Sequence, residues 1–248
     1  MTRLRVICDE GFGARGNIAL TAAMAELHMR GEIGDTLRIY RYPRSVLLGC
    51  NQSAEEATDR TVCVKKNVEI ARRITGGGAI YMDEGVITWD LVVTGRSVGN
   101  DPRGLSENVC RSLAGAISAL GVDARFRAEN DIVADNKKIA GASGYADGAT
   151  FIYQGSLMLS PDLRAMAAVL RIPAIEDGVT TLSALLGRAF RQSEAAALLA
   201  NSISSALGYE QVSGELSAKE CALRDELFGR EFGRDDFVFA KQMPRAAA

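Results

Sequence analysis

A chain of 248 residues is long enough for one large domain or two small ones, and 47% hydrophobic with 24% charged residues is the balance of an ordinary soluble globular protein. A net charge of −2 excludes a broadly basic surface that would gather nucleic acid, and no window approaches the roughly 18 apolar residues of a membrane helix. The five cysteines (Cys8, Cys50, Cys63, Cys110, Cys221) contain no C-x-x-C pair, which excludes simple metal-ligand spacing and argues against a disulfide framework.

In chain order, residues 4–8 read as a strand that soon meets Asp9 and Glu10, unlike a signal peptide, so a reducing cytoplasm is the expected compartment. Asn17 is placed to cap a helix over residues 17–30, with Leu20, Met24 and Leu27 on one face and Gly31 as its stop. Residues 36–42 and 46–48 are β-like, separated by Pro43. Residues 86–93 form another strand, whose Trp89, Leu91 and Val93 have core character. A helix over about 105–120 ends at Gly121. Residues 132–134 and Ile139 flank the turn pair Asp135-Asn136, the signature of a tight hairpin. Residues 151–159 are a strand, and after Pro161 the pattern is helical over 162–170, 193–207 and 216–228. There is no internal repeat, long linker or low-complexity tract apart from the tail at 245–248. Strands and helices intermingle without a regular βαβ rhythm. The expected class is therefore α+β (mixed α/β), a mixed or antiparallel sheet flanked by helices.

Residues 72–83, Arg-Arg-Ile-Thr-Gly-Gly-Gly-Ala-Ile-Tyr-Met-Asp, concentrate the chemistry. Glycines let a backbone approach a ligand closely, and arginines supply forked donors for carboxylate or phosphate. A second cluster runs Asn130-Asp131-Ile132-Val133, then Lys137-Lys138-Ile139-Ala140-Gly141. Positive charge gathers at Lys65, Lys66, Arg72 and Arg73, and at Arg125, Arg127, Lys137 and Lys138. Local clusters on a near-neutral chain suit a small anionic, nucleotide-like ligand. A rival lies in Gly11, Gly13 and Gly16, which match G-x-G-x-x-G between a strand and a helix. Asp9 and Glu10 would repel a pyrophosphate, and Arg41 stands where an acidic ribose ligand belongs, although an arginine suits a 2′-phosphate. An NAD(P)-dependent oxidoreductase stays open on that pattern. No G-x-x-x-x-G-K-[ST] is present, and the single histidine, His28, reads as structural.

The ordered set of motifs resembles the lipoate–protein ligase family, whose catalytic domain is shared with octanoyltransferases and, more distantly, biotin–protein ligases. The resemblance runs through Asn17-Ile-Ala-Leu, Pro43 with Leu48-Gly49-Cys50-Asn51-Gln52, residues 72–83, residues 130–143 and Gly155-Ser156-Leu157. It implies one catalytic domain over 1–248 with a helical part at about 162–230 and no separate C-terminal accessory domain. It also implies a two-step reaction. ATP, with Mg²⁺, and lipoate or octanoate give an acyl-adenylate, and a lysine of a lipoyl-acceptor protein is then acylated. By the resemblance Lys138 is the catalytic lysine. Gly76, Gly77, Gly78, Ala79, Tyr81, Gly141, Ser143 and Gly155 line the substrates, and Arg73 faces the adenylate anion. Asn130 and Asp131 sit by the nucleotide, with Asp131 the Mg²⁺ candidate. Arg72 reads either as a site residue or as a surface charge, and Lys137 as solvent-facing.

Larger ligases carry a further C-terminal domain, in some cases as a separate polypeptide, so a separate accessory subunit is expected. Octanoyltransferases use a cysteine close in sequence to the matching lysine. No cysteine lies between Cys110 and Cys221, which favours the ATP-dependent ligase over an ATP-independent acyltransferase. Met82 and Gln154 stand where the family often has histidine. These departures leave open an altered substrate, or a non-catalytic lipoate-binding or scaffold role.

Overall fold

The computed structural model describes residues 2–95, 99 and 101–240, so the tail at 245–248 lies outside the described residues. In chain order the first half comprises β1 (Arg3–Cys8), α1 (Ala14–Met29), β2 (Thr36–Tyr40), β3 (Ser45–Leu48), α2 (Ala54–Ala57), α3 (Arg60–Lys65), β4 (Glu69–Arg72), β5 (Ile80–Met82) and β6 (Val86–Thr94). The second half comprises α4 (Pro102–Ser118), β7 (Ala124–Arg127), β8 (Asp131–Ala134), β9 (Lys137–Asp147), β10 (Thr150–Met158), α5 (Leu163–Leu170), α6 (Leu182–Leu186), α7 (Gln192–Leu207), β11 (Glu210–Ser213), α8 (Ala218–Leu227) and α9 (Asp235–Val238).

Eight strands form one mixed sheet in the order β11-β1-β2-β6-β10-β9-β8-β7, and a second sheet has the order β4-β3-β5. Pairing is parallel across β11, β1 and β2, and antiparallel from β2 to β7. The α+β class expected from the sequence is the class observed. Strand β6 reads as a near-continuous apolar run because both of its faces are covered. Ile87, Trp89, Leu91 and Val93 enter the larger core with α4 and α7 residues such as Leu113 and Leu199. On the other face lie Val86, within the core shared by α1 and the small sheet, and Val92.

Helix α1 begins at Ala14, and Asn17 is not its cap. Asn17 is fully buried one turn inside, accepting hydrogen bonds from the Phe12 N–H (3.0 Å) and Arg38 Nη2 (2.9 Å). The first turn is held instead by Glu69, whose carboxylate accepts from the N–H groups of Ala14 (2.7 Å) and Arg15 (3.3 Å). A carboxylate at a helix N-terminus satisfies orphan donors and complements the dipole. It also fills the place a pyrophosphate would take. Gly11, at φ +79°, packs so tightly that a Cβ would fall 2.3 Å from the Arg41 carbonyl oxygen. The G-x-G-x-x-G pattern is thus a tight turn into a helix already capped by protein, which overturns the dinucleotide reading.

The turn residues Asp135 (φ 49°) and Asn136 (φ 64°) are both left-handed, as a two-residue hairpin requires. Helix α4 starts three residues earlier than the periodicity indicated, because Asp101 caps it and Pro102 opens it. Strand β11, in the gap between the helices read over 193–207 and 216–228, pairs parallel to β1. All four of its residues are exposed, so no alternation marks it. His28 is structural, bridging Thr150 Oγ1 (2.8 Å) and Asp35 Oδ1 (2.9 Å). Among the described residues, no helix is long and apolar enough to cross a membrane.

Candidate functional site

A cavity of about 440 Å³ opens between the β6–β10–β9 face of the main sheet, the small sheet and α5. Exposed Gly77 and Gly78 and half-buried Lys138 line one part of it, and buried Met82, Val86, Met158 and Met166 line another. The result is a polar, glycine-rich entrance above an apolar interior, the usual make-up of a small-molecule site.

The glycine loop follows β4. Gly77 has φ +92°, and Gly49 approaches it so closely that a Cβ there would lie 2.0 Å from the Gly77 carbonyl oxygen. Arg73, buried beneath the loop, donates to the carbonyls of Leu47 (2.7 Å), Gly76 (2.6 Å) and Gly78 (3.0 Å). Burial among neutral acceptors pulls its pKa down to about 10. Arg73 therefore shapes the loop and sets a positive charge under it. Arg72 is neither a surface charge nor a cavity residue. It is 1% exposed and donates to the carbonyls of Gly49, Cys50, Gln52, Val238 and Ala240.

Lys138 Nζ meets Asp131 Oδ1 at 2.6 Å, and Arg127 Nη2 meets Asp131 Oδ2 at 2.9 Å. Burial pushes the Asp131 carboxyl up, but the hydrogen bonds from Lys138 and Arg127 outweigh it and hold the pKa below the ordinary value. The Lys138 backbone is gripped on its outer side by the Gly178 carbonyl (2.9 Å) and the Thr180 N–H (2.9 Å). On its inner side, a register shift between β8 and β9 occurs at Ile132/Val133, the kind of bulge that re-aims side chains. Gly141 makes room for the lysine, since a Cβ there would lie 2.5 Å from Lys138 Cε and Nζ. Lys137 turns away and donates to the Glu176 carbonyl at 2.7 Å.

Of the other residues singled out from sequence, Gly76, Ala79, Tyr81, Ser143 and Gly155 line the cavity. Asn130 does not line it. The Asn130 side chain accepts from the Ser106 hydroxyl, which also contacts Tyr153 Oη at 2.8 Å. Asn130 thus anchors the start of β8 and positions Asp131 behind Lys138. Gln154 carries a buried chain. Ser143 Oγ donates to Thr75 Oγ1 (3.0 Å), Thr75 to Gln154 Oε1 (3.0 Å), and Gln154 Nε2 to Asp90 Oδ1 (2.7 Å). Asp90 is fully buried, so desolvation raises its pKa against the lowering effect of Arg38. Sequence reasoning missed Thr75 and Asp90. The available signal was Asp90 itself, the lone charge in the nine residues of β6.

None of the five cysteines lines the cavity. Cys110, which feels both Asp131 and Lys138, is 1% exposed beside Tyr153, and burial raises its thiol pKa.

Residues 14–204 match the model of the lipoyl protein ligase A/B catalytic domain. The chain belongs to this family. It is 32% identical over 171 residues to lipoate-protein ligase A subunit 1 of Thermoplasma acidophilum, an alignment covering 64% of this chain and 64% of that subunit. It thus spans less than two thirds of that relative's length. It is 26% identical over 250 residues to the octanoyltransferase LipM of Kyrpidia tusciae, covering 86% and 90% of the two chains. Among solved structures it is similar to a lipoate-protein ligase A bound with ATP, at 25% identity and a TM-score of 0.84, over 97% of this chain and 99% of that one. The glycine loop, Lys138 and the apolar interior line one cavity within the stretch that the family model matches.

Proposed function

We propose that this chain is the catalytic subunit of an ATP-dependent lipoate–protein ligase. The observation that carries the reading is a cavity with a buried apolar interior, a glycine loop and a lysine at its polar end, and no cysteine in its wall. The acid's tail enters the apolar part and its carboxylate oxygen attacks the α-phosphate of ATP, releasing pyrophosphate. The acceptor lysine then attacks the acyl carbon, and AMP leaves. Lys138 neutralises charge on the oxygens between carboxyl and α-phosphate, and fixed donors of this kind stabilise such transition states. Asp131 orients Lys138. Mg²⁺ commonly binds one or two carboxylates together with substrate phosphates. Asp131 would supply the protein ligand only by exchanging its Arg127 partner for the metal, since its other oxygen holds Lys138, and the metal would then offset phosphate charge.

The lipoyl-acceptor domain is the second substrate, and a separate accessory subunit completes adenylation. Support for that partner is the similarity to a protein named as subunit 1 of a ligase. In this reading residues 1–248 act as one catalytic domain, and the reducing cytoplasm is the compartment. Similarity to an octanoyltransferase along most of the chain keeps one rival, acyl transfer without ATP.

The test is incubation with lipoate, ATP and Mg²⁺, with and without the accessory subunit, followed by mass spectrometry for lipoyl-adenylate. Adenylate formation supports the ligase. Acylation of the chain by octanoyl-acyl-carrier protein, with ATP untouched, would install the rival. Turnover by the isolated chain at about 1 s⁻¹ or faster would remove the need for a partner.

A further inference from the structure

We propose that Asp90, fully buried behind the cavity, is a positioning residue of the reaction: through Gln154 and Thr75 it sets where the glycine loop stands over the substrates. This rests on the adenylation reading above, and Asp90 itself does not line the cavity.

Asp90 belongs to a polar row that crosses the main sheet. Arg38 on β2, Asp90 on β6, Gln154 on β10 and Ser143 on β9 are successive register partners, and directly opposed residues share one face of a sheet. The row starts at an arginine fixed by Asp9 (2.7 and 2.8 Å) and ends at the cavity, which Gln154 and Ser143 line. A buried acid in an apolar strand is costly unless paired, and apolar residues of similar volume often serve stability as well. What an apolar residue could not do is dictate the hydrogen bonds beyond it.

Those bonds run one way. Asp90 Oδ2 meets the Thr21 hydroxyl at 2.6 Å and Oδ1 accepts, so Gln154 turns its amide N–H to Asp90 and its oxygen to Thr75. The single hydroxyl proton of Thr75 goes to that oxygen. Its Oγ1 is then left to accept from Ser143 and from Arg73 Nε (3.3 Å). Thr75 is fully buried and directly precedes Gly76. Glycines have no side chain with which to anchor a loop. Arg73 holds this one by its carbonyls, and Thr75 ties its base to β9 and β10. Without an acceptor at Asp90, Gln154 is free to turn and the tie loosens.

Two measurements on the full chain separate the loop from the acyl pocket: kcat for lipoyl-adenylate formation, under whichever condition above yields it, and calorimetric titration with lipoate alone. Asp90→Val should lower kcat about 10- to 100-fold, the scale of a displacement of about 1 Å at reacting atoms, with lipoate affinity within about 2-fold of wild type. Asp90→Asn still offers Gln154 an oxygen and should restore kcat to within about 3-fold. Thr75→Val should match Asp90→Val, and Thr75→Ser should recover. The double variant Asp90→Val/Thr75→Val should be no worse than either single one, because both cut the same chain. Undiminished kcat in Asp90→Val, additive losses in the double variant, or lipoate affinity falling in step with kcat would overturn the proposal. So would a loss in Asp90→Asn as large as in Asp90→Val. Where Asp90→Val does not fold, full kcat in Thr75→Val or a large loss in Asp90→Asn overturns it, and the reverse pattern supports it. Failure of wild type to bind lipoate or form the adenylate would instead overturn the adenylation reading, and this proposal with it.

Discussion

Replacing Arg72 by methionine tests whether one buried guanidinium ties the glycine-loop side of the site to the end of the described chain. Its Nη1 donates to Gly49 (3.1 Å), Cys50 (3.1 Å) and Gln52 (2.7 Å), while Nε and Nη2 donate to Val238 and Nη2 to Ala240 (2.7 Å). Methionine retains most of the apolar stem, so the loss is chiefly that of the hydrogen bonds. It strands five carbonyls in a region where the arginine itself is 1% exposed. Breaking a buried charged network of this kind costs about 3–5 kcal/mol. For a chain of this size that corresponds to a melting temperature lower by about 10 °C. Lysine should recover less than half of this, because one ammonium cannot span both segments. Calorimetric unfolding of the three proteins is the assay, with limited proteolysis to show release of residues 235–240. A melting temperature for Arg72→Met within about 2 °C of wild type would refute the reasoning.

Lys138→Met should leave stability within about 1 kcal/mol, because its pair with Asp131 is partly exposed. Adenylate formation should fall by about 100-fold or more, read by pyrophosphate release on folded protein. Gly155→Ala places a Cβ 1.9 Å from Trp89 Cζ2. Trp89 is fully buried and has little room to shift. A loss of about 1–3 kcal/mol or more should appear in denaturant melts. Cys110→Ser should acylate the acceptor at close to the wild-type rate in a lipoylation assay, whereas a thioester route through Cys110 would be abolished.

The pH dependence follows from two carboxylates whose folded pKa values lie below their ordinary ones. Burial raises Asp35, but the hydrogen bonds from His28, the Thr94 N–H and Tyr209 outweigh it. Burial likewise raises Glu220, but Arg5 and Ser217 outweigh it. Their contributions are therefore present above the ordinary values, 3.8 and 4.5, and are lost as pH falls through the lowered folded values. Buried Asp90, raised by desolvation, works in the opposite sense. Acid unfolding followed by circular dichroism should flatten in Asp35→Asn and Glu220→Gln.

Local signals carried much of the architecture. The hairpin at Asp135-Asn136, the alternation that sends Trp89 and Leu91 inward, and the helices ending at Leu170 and Leu207 depend on residues a few positions apart. Where a partner lay far away, local reading erred. Asn17 looked like a cap because Glu69, 55 positions beyond Ala14, is not a local signal. Strand β11 was invisible because, among the described residues, its sheet partner is β1, at the other end of the sequence.

For the site, the ordered motifs pointed to the family, and that resemblance brought forward Lys138, the glycine run, Ser143 and Gly155, because motif order is a property of the sequence itself. Tertiary structure alone decided that Arg73 holds the glycine loop while Arg72, its neighbour, points to the chain's far end. It also made Gln154 the bridge between Thr75 and Asp90 and left the Thr88 hydroxyl unpaired. Adjacent strand residues face opposite ways, and what each face meets is set by elements up to 168 residues distant in sequence.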